Sequence, residues 1–283
     1  MRVQFWGVRG SIAVSGERFW KVGGHTTCVV FEHEGEHLII DGGTGLKAFG
    51  DSFKGAPLNA TLLFTHVHWD HIQGLPFFAP AFHPASNISV MGVSRDHWHF
   101  KEILSLQMAP PTFPVRLDIL GGLKEISDFP LNEPQQVGPF TITGIDQKHP
   151  DGVVVYRVEA GGHSAVFATD VEHGGEALDD ALLELCHEVD LVIHDAQYTE
   201  AEYRGEAGPP RKGWGHCMWT EAVEVAERSG AKALALFHHD PSRDDEGVAE
   251  IEALAQGRFP NSFAAREGSM VDLSQPNTPI SLS

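Results

Sequence analysis

Apolar and polar positions along the chain follow two different periods, and each change of period marks an element. Residues 3 to 6 read as a first strand closed by Gly7. Val29 to Phe31 and His37 to Ile40 read as the next two, joined across Glu34-Gly35-Glu36 into an antiparallel meander. Leu62-Leu63-Phe64 and Ile88 to Met91 are further buried strands, and the apolar stretch Ile72 to Phe78 predicts a short helix. Phe100, Ile103, Leu104 and Gln107 recur at helical spacing, which predicts a helix over residues 96–107. Met108 to Pro114 is too rich in proline for regular structure and forms either a rigid lip over a pocket or a loop packed on the core. Strand character resumes over 137–146, 153–158 and 164–169, then at Leu191 to Ile193 and Ala233 to Phe237. Thr220 to Ser229, ended by Gly230, and Glu246 to Gln256 carry helical patterning, and the tail after Leu273 is expected to fray. Strands alternate with helices in this second half, so the pattern predicts a layered α/β architecture.

Composition narrows the class of partner. The 283 residues hold 39 acidic and 20 basic side chains, a formal charge of −19, which works against binding a polyanion. Long nucleic acid is therefore disfavoured, while a small anion beside a divalent cation is not. Cys28, Cys186 and Cys217 are odd in number and far apart, so neither a disulfide framework nor a Cys-x-x-Cys metal clip is indicated, and a cytoplasmic setting is expected. The first residues lack the apolar core of a secretion signal, and no run approaches the roughly 18 apolar residues of a membrane span.

The chemistry concentrates after Leu62-Leu63-Phe64, in Thr65-His66-Val67-His68-Trp69-Asp70-His71. Three imidazoles and a carboxylate in six positions are far more ligand than a turn needs, and neutral imidazole is the commonest side-chain ligand for a transition metal. Further candidates share one habit, a position just past an extended apolar segment. They are His149 before Pro150-Asp151-Gly152, Asp170 after Ala168-Thr169, and His238 after Phe237. A carboxylate at the tip of a buried strand is costly unless paired or metal-bound, which favours Asp170 as a ligand over a turn cap. Asp41, in Asp41-Gly42-Gly43-Thr44-Gly45, is placed to orient a ligating histidine from behind. His97 and His99 read as packed or surface histidines. Strand alternation alone does not choose between His238 and His239.

The run His66-x-His68-x-Asp70-His71 resembles the signature of the metallo-β-lactamase-fold hydrolases. The resemblance implies a four-layer αββα sandwich, one hydrolase domain over residues 1–283, and two divalent metal ions, Zn2+ or else Mn2+ or Fe2+. It implies that His66, His68 and His149 hold the first ion, that Asp70, His71 and His238 hold the second, and that Asp170 bridges them. Leu191-Val192-Ile193-His194-Asp195-Ala196 and Gly215-His216-Cys217-Met218-Trp219-Thr220 resemble the phosphodiesterase branch, which includes RNase Z and the phosphoribosyl 1,2-cyclic phosphodiesterases. In that branch an acidic residue matching Asp195 orients a histidine matching His216, and Asp70, His216 and Asp195 are the candidate catalytic residues. Phe5-Trp6-Gly7-Val8-Arg9-Gly10-Ser11 and Gly23-Gly24-His25-Thr26-Thr27-Cys28 resemble the cyclic-phosphodiesterase group more than RNase Z, although His25 stands where asparagine is usual. The implied substrate is a small cyclic or linear phosphodiester, and the group admits a homodimer. The competing expectations are an RNase Z-like endonuclease acting on tRNA and a metal-binding accessory protein without turnover.

Overall fold

Alternation of side chains across two faces is what stacks the strands of this computed structural model into a sandwich. The structure describes residues 1–95, 97–174, 177–274 and 280–281. The first sheet contains β1 (Arg2–Gly7), β2 (Cys28–His33), β3 (Glu36–Ile40), β4 (Asn59–Leu63), β5 (Asn87–Gly92) and β6 (Leu123–Asp128). It starts as the expected antiparallel meander through β3 and continues parallel from β3 to β6. The second sheet contains β7 (Gln135–Val137), β8 (Phe140–Gln147), β9 (Val153–Ala160), β10 (His163–Ala168), β11 (Leu191–Asp195), β12 (Leu234–Phe237) and β13 (Ser262–Ala264). Here pairing is antiparallel as far as β10 and parallel from β10 to β13. The chain then returns to the first sheet, where β14 (Ser269–Asp272) pairs with β1 and β15 (Ile280–Ser281) pairs with β14.

The inner faces meet in one core. Val3, Phe5, Phe31 and Ile40 from the first sheet pack with Ile142, Tyr156, Phe167, Ile193 and Phe237 from the second, all fully buried. Each such side chain contributes on the order of 1.5–3 kcal/mol of hydrophobic stabilisation. The alternate residues Val30, Ile39 and Leu62 face outward and are covered by α1 (Gly45–Ser52), α2 (Trp69–Ile72), α3 (Ala79–Phe82) and α4 (Phe100–Gln107). On the far side Val155, Val166, Val192 and Leu236 lie under α5 (Asp180–Leu185), while α6 (Glu200–Arg204) leads to the covering helices α7 (Trp219–Ser229) and α8 (Asp245–Arg258). The result is the four-layer αββα sandwich that the histidine motif implied.

Three local expectations change. The helix read over 96–107 begins at Phe100, because Arg95 and Trp98 close a turn through paired backbone hydrogen bonds and His99 is the extended N-cap whose N–H meets Glu102. Asp96, its expected start, lies outside the described residues. The helix expected over Ile72 to Phe78 starts earlier, at Trp69 as α2, and is followed by a single 3-10 turn at Leu75–Phe77. Part of the tail expected to fray is paired, as β15, and residues 275–279 and 282–283 lie outside the described set.

Parallel pairing fixes where the chemistry gathers. β3, β4, β10, β11 and β12 all run in register with a parallel neighbour, so their carboxyl ends reach the same edge of the sandwich. Just beyond those ends lie Asp41, the His66 to His71 loop, Asp170 and His238, and Asp195 closes β11.

Candidate metal centre

The structure brings His66, His68, Asp70, His71, His149, Asp170 and His238 together, with Asp195 and His216 beside them. Their ligand atoms form three groups, each within 4.8 Å, of which the last two share Asp170 and His238: His66 with His68 and His149; Asp70 with His71, Asp170 and His238; and Asp170 with Asp195, His216 and His238. Nearly all of these side chains are buried, His68 being the most open.

Each side chain is aimed by a second contact. His71 Nδ1 lies 2.8 Å from Asp41 Oδ2, and Asp41 also accepts the Thr65 N–H at 2.8 Å, so the strand tip of β3 orients the loop after β4. That is the role read for Asp41 from its position. His149 Nδ1 donates to the Gly215 carbonyl at 2.9 Å, leaving Nε2 3.0 Å from His68 Nδ1 and 3.9 Å from Asp170 Oδ1. His238 Nδ1 donates to Gln197 Oε1 at 2.8 Å, and its Nε2 stands 3.2 Å from both Asp70 Oδ2 and Asp170 Oδ2. His239, the other residue at this tip, turns away and meets the Ala265 carbonyl at 3.0 Å. Asp70 Oδ2 accepts the Ser11 N–H at 2.7 Å, and Asp170 Oδ2 accepts from Thr169 Oγ1 at 2.6 Å.

Backbone strain collects at the same tips. Asp41, Asp170 and His238 hold φ of 63°, 57° and 57°, a left-handed conformation that side chains other than glycine rarely adopt. Such strain persists where the surroundings over-determine the geometry, and here it turns the side chains into the centre.

The donors suit a divalent metal. His66 Nε2 and His71 Nε2 are fully buried and have no hydrogen-bond partner among the described residues, a costly condition that a coordinating cation relieves. Burial, with the nearby His71, pulls His66 well below the ordinary imidazole range and keeps it a neutral donor. Burial alone would raise the Asp170 carboxyl, but His238 and His71 reverse this and hold it well below the usual range. Asp70 is likewise held low, its burial outweighed by His71 and His238. His66 is thus a neutral nitrogen donor beside ionised carboxylates, whereas at His71 burial is outweighed by Asp70, Asp170 and Asp41, which hold it well above the ordinary imidazole range; a mixed set of imidazole and carboxylate donors is the ligand chemistry of zinc and its neighbours.

His216 is placed differently. Its Nδ1 lies 2.9 Å from Asp195 Oδ2 and 3.7 Å from Asp170 Oδ1, and its ring stacks on His238 at 4.9 Å. Burial lowers its basicity, yet Asp195, Asp170 and Asp70 together push it up to about 9. Asp195 also accepts the Gln197 N–H at 3.0 Å, so one carboxylate organises both neighbours. The loop that carries His216 is clamped by Glu172, which accepts the Gly213 and Gly215 N–H groups at 2.7 and 2.9 Å.

Gln197, Ser11 and Glu172 were not singled out from the sequence. The one signal for Gln197 was its place in a run of polar residues beyond a strand tip. Ser11 acts through its backbone, which carries no side-chain signature. Among the described residues His25 joins no ligand group; it lies 3.1 Å from Thr44 Oγ1 and 3.7 Å from Glu267.

A sandwich with these ligand groups at one edge defines a metal-binding hydrolase fold of the metallo-β-lactamase kind. The family model described as "Beta-lactamase superfamily domain" matches residues 39–239, and the chain belongs to that family. Ribonuclease Z of Haloarcula marismortui is 22% identical over 289 residues, covering 84% of this chain and 86% of its own. Among solved structures, the metallo-β-lactamase fold protein YhfI from Bacillus subtilis has a TM-score of 0.70 at 20% identity, covering 95% of this chain and 97% of that one. A diphosphatase from the PhnP family has a TM-score of 0.69 at 16% identity, covering 96% and 97%. The Ribonuclease Z name among these relatives agrees with the phosphodiesterase and RNase Z-like branch expected from the motifs. Among the described residues no helix is long and apolar enough to cross a membrane.

Proposed function

We propose that this chain is a metal-dependent phosphoric diester hydrolase acting on small cyclic or linear phosphodiesters, with two divalent ions. The observation that carries the reading is the position of Asp170. Its Oδ1 faces His66 and His149 at 3.9 Å each, while its Oδ2 faces His71 and His238 at 3.2 Å each. One carboxylate thus stands between two sets of nitrogen donors. His66, His68 and His149 would hold one ion, Asp70, His71 and His238 the other, and Asp170 both, with zinc favoured by the nitrogen-rich set and manganese or iron compatible. When bound, such a pair supplies positive charge to the phosphate oxygens and lowers the pKa of a water.

The chain's own residues do the rest. Asp195 takes the Nδ1–H of His216, which fixes the tautomer and leaves Nε2 to face the substrate. The water gives one proton to solvent; as the resulting hydroxide oxygen bonds to phosphorus and the P–O bond to the alcohol breaks, His216 Nε2 gives its proton to the departing oxygen. Asp41 and Gln197 keep His71 and His238 from rotating, and the Ser11 amide fixes Asp70. One domain over residues 1–283 belongs to this reading, supported by the core that both sheets share. A cytoplasmic setting fits three free, buried cysteines.

A second reading, an RNase Z-like endonuclease, is favoured by the curated relatives of that name. The charge of −19 weighs against a polyanionic substrate. Both readings meet in one assay of metal-loaded protein with bis(p-nitrophenyl) phosphate, 2′,3′- and 3′,5′-cyclic nucleotides, ribose 1,2-cyclic phosphate and a pre-tRNA. Turnover of the small diesters is expected. Cleavage of pre-tRNA alone selects the second reading, and inertness toward all of them removes both.

A further inference from the structure

A cleft of about 350 Å3 opens from the His66 and His68 side of the centre, between the end of β5 and α4. That volume lies at the lower end of the roughly 300–1,000 Å3 range of small-molecule sites. Its lining is mainly apolar, with Val67, Phe100 and Ile103 among the contributors. Two of the large apolar side chains that the fold leaves exposed also line it, Trp98 at 44% and Leu106 at 55%. The backbone that carries the indole is fixed: the Trp98 backbone N–H donates to the Arg95 carbonyl at 2.8 Å, and the Arg95 backbone N–H donates to the Trp98 carbonyl at 3.1 Å. Arg95 is anchored in turn to Asp146 on β8 at 2.6 Å, which ties this turn to the second sheet.

His66 and His68 belong to both the cleft and the centre, so a phosphodiester seated beside Asp170 has one substituent directed along this apolar wall. We propose that the cleft receives a planar aromatic substituent of the substrate, a ring of nucleobase size packed on Trp98. It thereby selects which phosphodiesters the centre accepts. This rests on the hydrolase reading above and names the substrate class within it. A singly charged diester with an aromatic arm suits a chain of charge −19 better than a polyanion does, and better uses the cleft than a bare sugar phosphate. Base-on-aromatic packing contributes about 1–3 kcal/mol, so its loss is worth about tenfold or more in affinity.

The test compares wild type with Trp98→Ala on adenosine 2′,3′-cyclic phosphate and on ribose 1,2-cyclic phosphate, which has no ring to stack. Trp98 is partly exposed, so its removal leaves the core intact. The expected result is a KM for the adenine substrate raised about tenfold with kcat kept, and values for the ribose substrate within about twofold. Equal changes on both substrates, no change on either, or wild-type turnover of the ribose substrate alone overturns the proposal. Should wild type turn over neither, calorimetry with adenosine decides the cleft separately, and the hydrolase reading stands or falls on the wider set of diesters named above. Binding that Trp98→Ala weakens about tenfold upholds it, and absence of binding removes it.

Discussion

In the proposed reading His216 is the side chain that separates holding metal from turning over substrate. It shares Asp195 with Gln197 and stacks on His238, its Nδ1 is taken up by Asp195 at 2.9 Å, and His71 and His238 stand nearer to Asp170, at 3.2 Å each against its 3.7 Å. His216→Ala is therefore expected to keep its metal content while kcat falls about 10²–10⁴-fold, the usual worth of a positioned acid. Elemental analysis beside steady-state kinetics checks both halves, and loss of metal in step with activity would contradict the assignment. The residues that converge here were legible because histidines and aspartates just past buried strands are chemically conspicuous. Gln197 and the Ser11 amide were not, since their meaning lies in contacts to residues 41 and 59 positions away.

Among the elements, the loop after β1 governs the centre from outside it. Its Ser11 amide holds Asp70, its Gly10 N–H donates to the His239 carbonyl at 3.1 Å, and the buried Arg9 guanidinium anchors it to the Gly23 and Arg243 carbonyls at 2.8 and 2.6 Å. Gly10 is required by space: a Cβ there would stand 2.4 Å from the His238 ring and 2.8 Å from Gln197 Oε1. Gly10→Ala should displace that imidazole and weaken metal affinity about 10–100-fold, the range for losing a group that orients a ligand. Competition with a chelator measures this, alongside a melting curve showing the fold retained, and unchanged affinity would refute the role. In the sequence this segment is marked by the family likeness of Phe5 to Ser11; its pressure on His238 arises only when β12 arrives beside it. The late start of α4 has a similar origin. Apolar spacing reports which face of a helix is buried, whereas its first residue is set by the Arg95–Trp98 turn and the His99 cap.

For the whole molecule, the buried histidines make stability depend on pH. His173 and His194 lie 3.3 Å apart through their Nε2 atoms, and burial lowers both, His173 to about 3. The unfolded chain binds a proton at such a side chain near pH 6.5 and the folded one does not, so for His173 stability falls as pH drops from about 6.5 toward about 3, by about 1.4 kcal/mol per unit, and His194 acts in the same direction. Denaturant unfolding between pH 7 and 4 should show this slope, and His173→Leu should make it shallower; an unchanged slope would count against a neutral buried pair. At this scale the layered α/β class followed from the period of the apolar residues. The order of strands did not, because periodicity says which face is buried and not which strand lies alongside, and the sandwich came from the likeness of the histidine motif. The central claim is that two ligand sets share Asp170, and metal stoichiometry tests it most directly. Elemental analysis of wild type should give about two ions per chain, and Asp170→Ala should fall below about one. A wild type saturating at a single ion, or an Asp170→Ala variant that keeps the full complement, would contradict the account.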